Sequence, residues 1–167
     1  MPAYLTAHTH LNLPALSHIR SYDDLLQAVS HTPYRKLLEG FRPAPGMMPD
    51  YTGIENVLFT HLYGEVFHVI DTYTHGETQR QLNQIFDSYV DLQNYLRIVR
   101  LRFIHHEPVA EVQRSLLPFG QLHTRHLKAL LAAGTEQELA AIMRRIPVGK
   151  HFIRAQGSYV YPEQLMN

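Results

Sequence analysis

Apolar side chains recur at three- and four-residue steps along almost the whole chain, which is the spacing of one face of an α-helix. Alternation of apolar and polar residues over five or more positions, the pattern of a half-buried strand, is hard to find. The pattern therefore predicts an all-α protein. Its 167 residues fit one hydrophobic core, so we predict a single all-α domain over residues 1–167.

Helix start and stop signals divide the first part of the chain. Ser21 with Asp24 three residues later is typical of a helix N-cap. Thr32-Pro33 ends this helix, because proline disfavours α-helical geometry in the residue before it, and Pro33 then opens a second short helix. Three prolines and one glycine between residues 42 and 50 predict an irregular connection.

Two long helices are predicted over about residues 52–106. Thr52 and Glu55 form a capping-box pattern at the start of the first, and an apolar stripe follows as far as Gly76. The second helix is predicted to run from there to about His105. A connection as short as this one favours a long antiparallel helical hairpin.

The chain also resembles itself at an offset of 114 residues. Ser21 then falls on Thr135, and the acidic third position, the apolar face and the proline break coincide as well. This match predicts two superposable helical repeat units, about residues 11–41 and about residues 121–156, joined by the hairpin. A chance likeness between capped amphipathic helices is the alternative explanation.

Composition removes several classes of function. Basic and acidic side chains balance at 15 each, so no net positive field favours nucleic acid as a partner. The chain has no cysteine, which excludes disulfides, thiol nucleophiles and cysteine-bound metals, and a reducing cytoplasm is the expected location. We find neither a signal-peptide pattern nor an apolar run of about 20 residues, so no membrane span is expected.

Twelve histidines make a metal site the first chemical candidate. His61, Glu65, His68 and His75 lie along one stripe of the first long helix, and Glu65-x-x-His68 has the ligand spacing of di-metal helical bundles. Such a centre needs a second Glu-x-x-His on a facing helix, and the sequence contains none. We therefore expect no resident metal, and a histidine-bound metal in a helical enzyme is kept as a minor alternative.

Motifs for catalysis and cofactor binding are also missing. The glycine-rich phosphate and dinucleotide loops, the hydrolase nucleophile elbow and the zinc-protease helix do not occur. Serine, histidine and aspartate are present, but nothing places a nucleophile on a tight turn. No catalytic residue and no cofactor are predicted.

Polar residues interrupt the apolar pattern of the second long helix between Asp91 and Arg102. Asp91 and Asn94 share a helical face with Arg102, whereas Arg100 lies near the opposite face. Polar side chains in such a position most often brace neighbouring helix ends or form an interface. This pattern favours a structural role over ligand binding.

The same residues carry a resemblance to a known family. Asp91, Asn94, Arg100 and Arg102 look like the D-x-x-N-x-x-x-x-x-R-x-K helix signature of the C/d family of V-type and A-type ATPase subunits, with arginine in place of the final lysine. Further similarities follow the family's order, at Thr32-Pro33-Tyr34 upstream and at Leu117-Pro118-Phe119-Gly120 downstream. Pro118 and Gly120 therefore join the four polar residues as structural or interface candidates.

The resemblance implies a non-catalytic subunit of a rotary ATPase. Such a subunit forms the socket that couples the central shaft to the proteolipid rotor ring during ATP-coupled proton or sodium transport. These two would be its partners, at the cytoplasmic face of the membrane. Family members are typically about twice as long, with three helical repeats, so the chain corresponds to about half of one. A stand-alone helical interaction module is the alternative from another class.

Overall fold

The computed structural model describes residues 11, 13–147 and 149. Within these residues every regular element is helical and no strand occurs, which confirms the predicted all-α class. No helix of this described part is both long enough and apolar enough to cross a membrane.

The chain groups into two compact units, Met1–Phe59 and Thr60–Asn167. The boundary lies inside one long helix, Tyr51–Tyr73, which we call α4. A single domain over residues 1–167 stays a prediction, since both chain ends lie outside the described residues.

The first unit contains three short helices and the beginning of α4. The short helices are α1 (Leu13–Leu16), α2 (Tyr22–Ala28) and α3 (Tyr34–Glu39). Leu26, Val29 and Leu38 are its buried residues, and partly buried side chains such as Leu25 and Ile54 pack around them. This core is small, with three buried side chains among the described residues.

Both hydrogen bonds of the capping box predicted at Ser21 are present. The Ser21 hydroxyl accepts a hydrogen bond from the Asp24 backbone N–H at 3.1 Å, and the Asp24 carboxylate accepts one from the Ser21 N–H at 2.9 Å. These two bonds satisfy amide groups that the first helical turn leaves without partners. The prediction of a capping box at the start of α2 is confirmed.

Helix α4 has its cap two residues before the position that the sequence pattern indicates. The pattern places the cap at Thr52, but Asp50 Oδ1 accepts the hydrogen bond from the Gly53 N–H at 2.9 Å. Thr52 lies inside the first turn of the helix, so the prediction of Thr52 as the cap was wrong. Aspartate is a better N-cap than threonine, which explains the earlier start.

The second unit contains the rest of α4 and the remaining helices. These are α5 (Gly76–Ile98), which continues as the π-helical segment π1 (Val99–Ile104), then α6 (Val109–Arg114), π2 (Leu122–His126), α7 (Leu127–Ala132) and α8 (Glu136–Arg145). One apolar cluster of this unit joins buried side chains from α5 to α8, among them Ile98, Val112, Leu122, Leu130, Leu139 and Met143.

Side chains of α4 and α5 contact each other within the second unit. The ring of Tyr63 lies 6.2 Å from the ring of Tyr89, and nearer the turn Asp71 Oδ1 accepts a hydrogen bond from Gln79 Nε2 at 3.0 Å. Tyr63 and Asp71 of α4 thus meet residues of α5 in reverse order, as in antiparallel helices. The long helical hairpin over about residues 52–106 stays a prediction.

The end of the second long helix differs from a plain α-helix. From Val99 the chain is π-helical, and the His105 N–H donates to the Arg100 carbonyl, five residues back, at 3.0 Å. A π-turn holds one more residue per hydrogen-bonded loop, so it rotates the side chains that follow it.

The two predicted repeat units can be compared only in part. Helices α1 and α7 begin 114 residues apart, and so do α2 and α8. Thr135, the counterpart of Ser21, also accepts the bond from the third helical N–H, that of Glu138, at 3.2 Å. The counterpart of α3 begins at residue 148, outside the described residues, so the duplication and the bounds 121–156 stay a prediction.

Candidate functional site

Three polar side chains on one face of α5 are almost completely buried. Asp91 and Asn94 are each 1% exposed, and Arg97 is 6% exposed. Steps of three residues keep them on the same side of the helix. All three are directed at the segment that follows α6, so we call Asp91, Asn94 and Arg97 the polar cluster.

Asn94 binds both backbone groups of a single residue. Its Nδ2 donates to the Leu117 carbonyl at 3.0 Å, and its Oδ1 accepts from the Leu117 N–H at 2.8 Å. Leu117 is itself buried, so neither backbone group could be left without a partner at low cost. The Asn94 amide therefore acts as a fixed support for the chain between α6 and π2.

Asp91 supports the next part of the same segment. Its Oδ1 accepts from the Leu122 N–H at 2.9 Å and its Oδ2 from the Gln121 N–H at 3.2 Å. Burial raises the pKa of Asp91 from 3.8 to about 6; the two N–H groups oppose this rise, and the neighbouring Asp87 carboxylate adds to it.

Gly120 allows this close approach. Its φ of +81° is a left-handed conformation that residues with a Cβ seldom adopt. A Cβ at this position would also collide with the Asp91 carboxylate and lie 3.4 Å from the Asp87 carbonyl oxygen. The turn can press onto α5 because residue 120 has no side chain.

Two arginines extend the connections of α5 and π1. Arg97 Nη1 donates to the Ser115 carbonyl at 2.7 Å. Arg102 Nη2 makes a longer contact of 3.4 Å with the Ala133 carbonyl, and Arg102 Nε is buried with no hydrogen-bond partner among the described residues. The remaining two candidates from the sequence, Arg100 and Pro118, are exposed and lie outside these connections.

Taken together, these side chains hold backbone groups rather than a reacting molecule. The six bonds that Asp91, Asn94, Arg97 and Arg102 make here end on main-chain N–H or C=O groups between residues 115 and 133. A groove of about 390 Å³ lies beside them, with aromatic and charged side chains in its wall. Its mixture of rings and opposite charges presents no nucleophile activated by a base.

The family model described as the ATP synthase (C/AC39) subunit matches residues 2–166, nearly the whole chain. The chain belongs to this family. Members of the C/AC39 family are non-catalytic subunits of V/A-type rotary ATPases, so the chain is a subunit of such a complex. No curated protein and no solved structure matches it significantly.

The histidine stripe on α4, formed by His61, Glu65, His68 and His75, was the metal-site candidate from the sequence. Glu65, His68 and His75 are exposed and His61 is half-buried. Across the described part of the chain, no group of three or more histidine and carboxylate side chains is placed to hold a metal ion. The single Glu-x-x-His of the sequence therefore stays without a facing half-site in residues 13–147.

Two members of this region were not among the sequence candidates. Arg97 has the helical spacing of the cluster, three residues after Asn94, but an arginine in a helix is usually taken for a surface residue. Asp87 precedes Asp91 by one helical turn, and burial raises its pKa as well. The regular spacing of residues 87, 91, 94 and 97 was the available signal.

Proposed function

We propose that this member of the C/AC39 family couples the central shaft of a rotary ATPase to its membrane rotor ring during ATP-driven or ATP-forming proton or sodium transport. The observation that carries the proposal is the family match over residues 2–166. The partners are the central-shaft subunits and the proteolipid ring, and the chain works at the cytoplasmic face of the membrane, peripheral to it.

The polar cluster supports this function physically. A protein that couples shaft to ring transmits torque, so its helices must keep their relative positions under load. Asn94 and Asp91 join residues that lie 23 to 31 positions apart in the chain, and these bonds are shielded from water. Buried hydrogen bonds of this kind fix geometry more firmly than exposed ones.

The site candidates divide into two roles in this proposal. The buried residues Asp91, Asn94 and Gly120 maintain the shape of the second unit, together with Arg102. Arg100 and Pro118 are exposed, so they are the candidates for contact with the shaft or the ring. Neither role involves a chemical step.

Reconstitution of ion pumping tests the proposal. Membrane vesicles that carry the rotary ATPase without this chain should hydrolyse ATP yet build no ion gradient, and adding the purified chain should restore the gradient. Undiminished pumping without the chain would overturn the proposal. Capture experiments with purified shaft and ring proteins accompany this test, and failure to bind either would favour the stand-alone interaction module.

A pair of charge reversals tests the contact surface. Arg100→Glu should weaken capture by the partner at least tenfold, because a reversed charge at an interface costs binding energy. Arg114→Glu is the matched control, since Arg114 is exposed in the same unit and already pairs with Glu111 at 2.7 Å. Equal binding by both variants would remove Arg100 from the interface.

A further inference from the structure

Five large apolar side chains of the second unit are exposed on α4 and α5. Their exposed fractions range from 48% at Leu62 to 77% at Tyr73, and the other three are Val69, Ile85 and Tyr89. Single exposed apolar residues are ordinary on a protein surface, whereas a contiguous patch marks a binding surface. These five form such a patch if the two helices turn them to the same side.

The contacts between the two helices give that side. On α4 the exposed Leu62 precedes the buried Tyr63, and on α5 the exposed Tyr89 precedes the buried Val90. The rings of Tyr63 and Tyr89 are 6.2 Å apart, and α5 meets α4 in reverse order. In two helices that run in opposite directions, one step back along each helix turns towards the same side of the pair. Leu62 and Tyr89 therefore share one side.

Helical steps of three and four residues add the other members of this surface. We call it the apolar face, and it consists of Leu62, Val66, Val69 and Tyr73 on α4 with Ile85 and Tyr89 on α5. None of these residues is charged, and two of them are tyrosines. The central parts of protein–protein interfaces have the same composition, poor in charge and rich in tyrosine.

The size of the apolar face fits an interface between two proteins. Its exposed side chains offer on the order of 500 Å² of apolar surface, since one aromatic side chain alone covers about 150–250 Å². The core of an interface is about 65% apolar, so a polar rim brings the total to roughly 800 Å² per partner. A stable complex of standard size buries about this area.

The spacing of the stripe on α4 is its own complement in the antiparallel direction. Its four residues follow one another in steps of four, three and four positions, which read the same from either end. A second α4 lying antiparallel therefore brings Val66 against Val69 of the second copy, and Leu62 against Tyr73 of the second copy. Two-fold symmetry repeats each contact, so a second copy of this chain matches the stripe along its whole length.

Polar residues beside the stripe fit the same arrangement. Glu65 and His68 are exposed, and neither pairs with another described residue. In the antiparallel pairing Glu65 of each copy comes close to His68 of the other, because both lie near the midpoint of the stripe. An imidazole N–H is a donor and a carboxylate is an acceptor, so the contact is favourable on both sides of the axis.

We propose that the apolar face binds a second copy of this chain, which gives a symmetric dimer with the two α4 helices antiparallel. Tyr63 is level with Tyr89, so the midpoint of the α4 stripe is level with Ile85 on α5. Each Ile85 therefore faces its counterpart across the two-fold axis, and α4 and α5 of the two copies form a four-helix arrangement. The dimer does not depend on the coupling role proposed above.

The mass of the full chain in solution tests the dimer. Analytical ultracentrifugation at about 100 µM should give twice the chain mass of 19.3 kDa, since interfaces of this size bind at micromolar concentration or better. Val69→Glu should weaken the dimer by roughly thirtyfold or more, because it places a carboxylate in the centre of the face. Gln113→Glu is the matched control, since it adds the same charge at an exposed position of α6. A monomer at this concentration, or equal association of both variants, would overturn the proposal and leave the face to a different protein.

A cysteine introduced near the axis provides an independent test that does not require the interface to be broken. The chain has no cysteine of its own, so a single new one can cross-link only to its counterpart in another copy. Under mild oxidation Ile85→Cys should form a covalent dimer, because the two Cα atoms lie within the short range that a disulfide spans. Gln84→Cys should not, since its side chain is exposed and points about 100° away on the same helix. Equal cross-linking of the two variants, or none in Ile85→Cys, would contradict the dimer.

Discussion

Asp24 at the start of α2 and Asp91 on α5 make similar bonds but differ in their response to pH. Asp24 Oδ2 accepts from the backbone N–H groups of Arg20 and Ser21, and Asp91 accepts from those of Gln121 and Leu122. Hydrogen bonding, first with the Ser21 side chain and then with the Arg20 N–H, lowers the pKa of Asp24. Burial raises the pKa of Asp91 to about 6 despite its two bonds.

The difference shows that exposure to water decides whether the pKa of a hydrogen-bonded aspartate is lowered or raised. Asp24 is exposed, so its charge keeps most of its hydration and the two N–H groups are an additional gain. Asp91 is 1% exposed, and two N–H groups do not replace the water that it loses. A buried carboxylate can therefore specify where the chain passes while lowering stability at neutral pH.

The largest expected effect comes from filling the space that brings the turn onto Asp91. Gly120→Ala should destabilise the protein by about 4 kcal/mol, because a left-handed alanine costs about 1–2 kcal/mol and displacing Asp91 breaks its charged hydrogen bonds. Gly40→Ala is the control, since Gly40 has φ of −70° and no atom within 4 Å of an added Cβ. Denaturant unfolding measures both, and equal stability of the two variants would contradict the close approach at Gly120.

Opposite pH dependences provide the most direct test of the comparison itself. Because the folded pKa of Asp91 is raised, its contribution to stability is complete below the unfolded value of 3.8 and is lost as the pH rises through about 6. The stability difference between wild type and Asp91→Asn should therefore fall by about 2 kcal/mol from pH 4 to pH 7. Urea unfolding at several pH values gives this difference.

Asp24 should show the reverse trend in the same experiment. Its folded pKa is lowered, so its contribution is present above the unfolded value and is lost as the pH falls through the folded value. The advantage of wild type over Asp24→Asn should grow as the pH rises from acid. Parallel slopes for the two aspartate variants would mean that burial does not separate them.

The sequence was enough to predict the helices and the capping box that contains Asp24. Caps such as Ser21 are local, so a few neighbouring residues were enough to predict them. The cap predicted at Thr52 was wrong, since Asp50 accepts the bond there. The π-helical turn after Ile98 was not predicted, because Val99 and Phe103 continue the apolar spacing of the α-helix before them.

For the polar cluster, the sequence predicted two of the side chains on α5 but not the backbone groups that they bind. Asp91 and Asn94 stood out because polar residues seldom occupy an apolar face. Their partners are main-chain groups of Leu117, Gln121 and Leu122, and every residue has such groups, so no residue type reveals them. The left-handed turn at Gly120 was equally hidden, although the glycine itself was a candidate.

Asn94 provides an uncharged counterpart to Asp91 in the same region. Asn94→Leu should cost about 2 kcal/mol, because the buried N–H and C=O of Leu117 both lose their partner. This loss should be the same at pH 5 and pH 7, in contrast to that at Asp91. Gln84→Leu, on the exposed side of α5, should change stability by less than about 0.5 kcal/mol. A loss at Asn94 no larger than this control, measured by thermal unfolding, would contradict a supporting role.

The smallest effects are expected at the exposed caps. Ser21→Ala and Thr135→Ala each remove one acceptor for a helical N–H and should each cost about 1 kcal/mol. Both caps are exposed, so water replaces part of the lost bond, and this limits the cost compared with Asn94. Matching losses in the two variants agree with equivalent positions in a duplicated unit. A loss at Thr135 as large as that at Asn94, measured in the same denaturant series, would show that this cap belongs to the buried network of the second unit, and the analogy with Ser21 would fail.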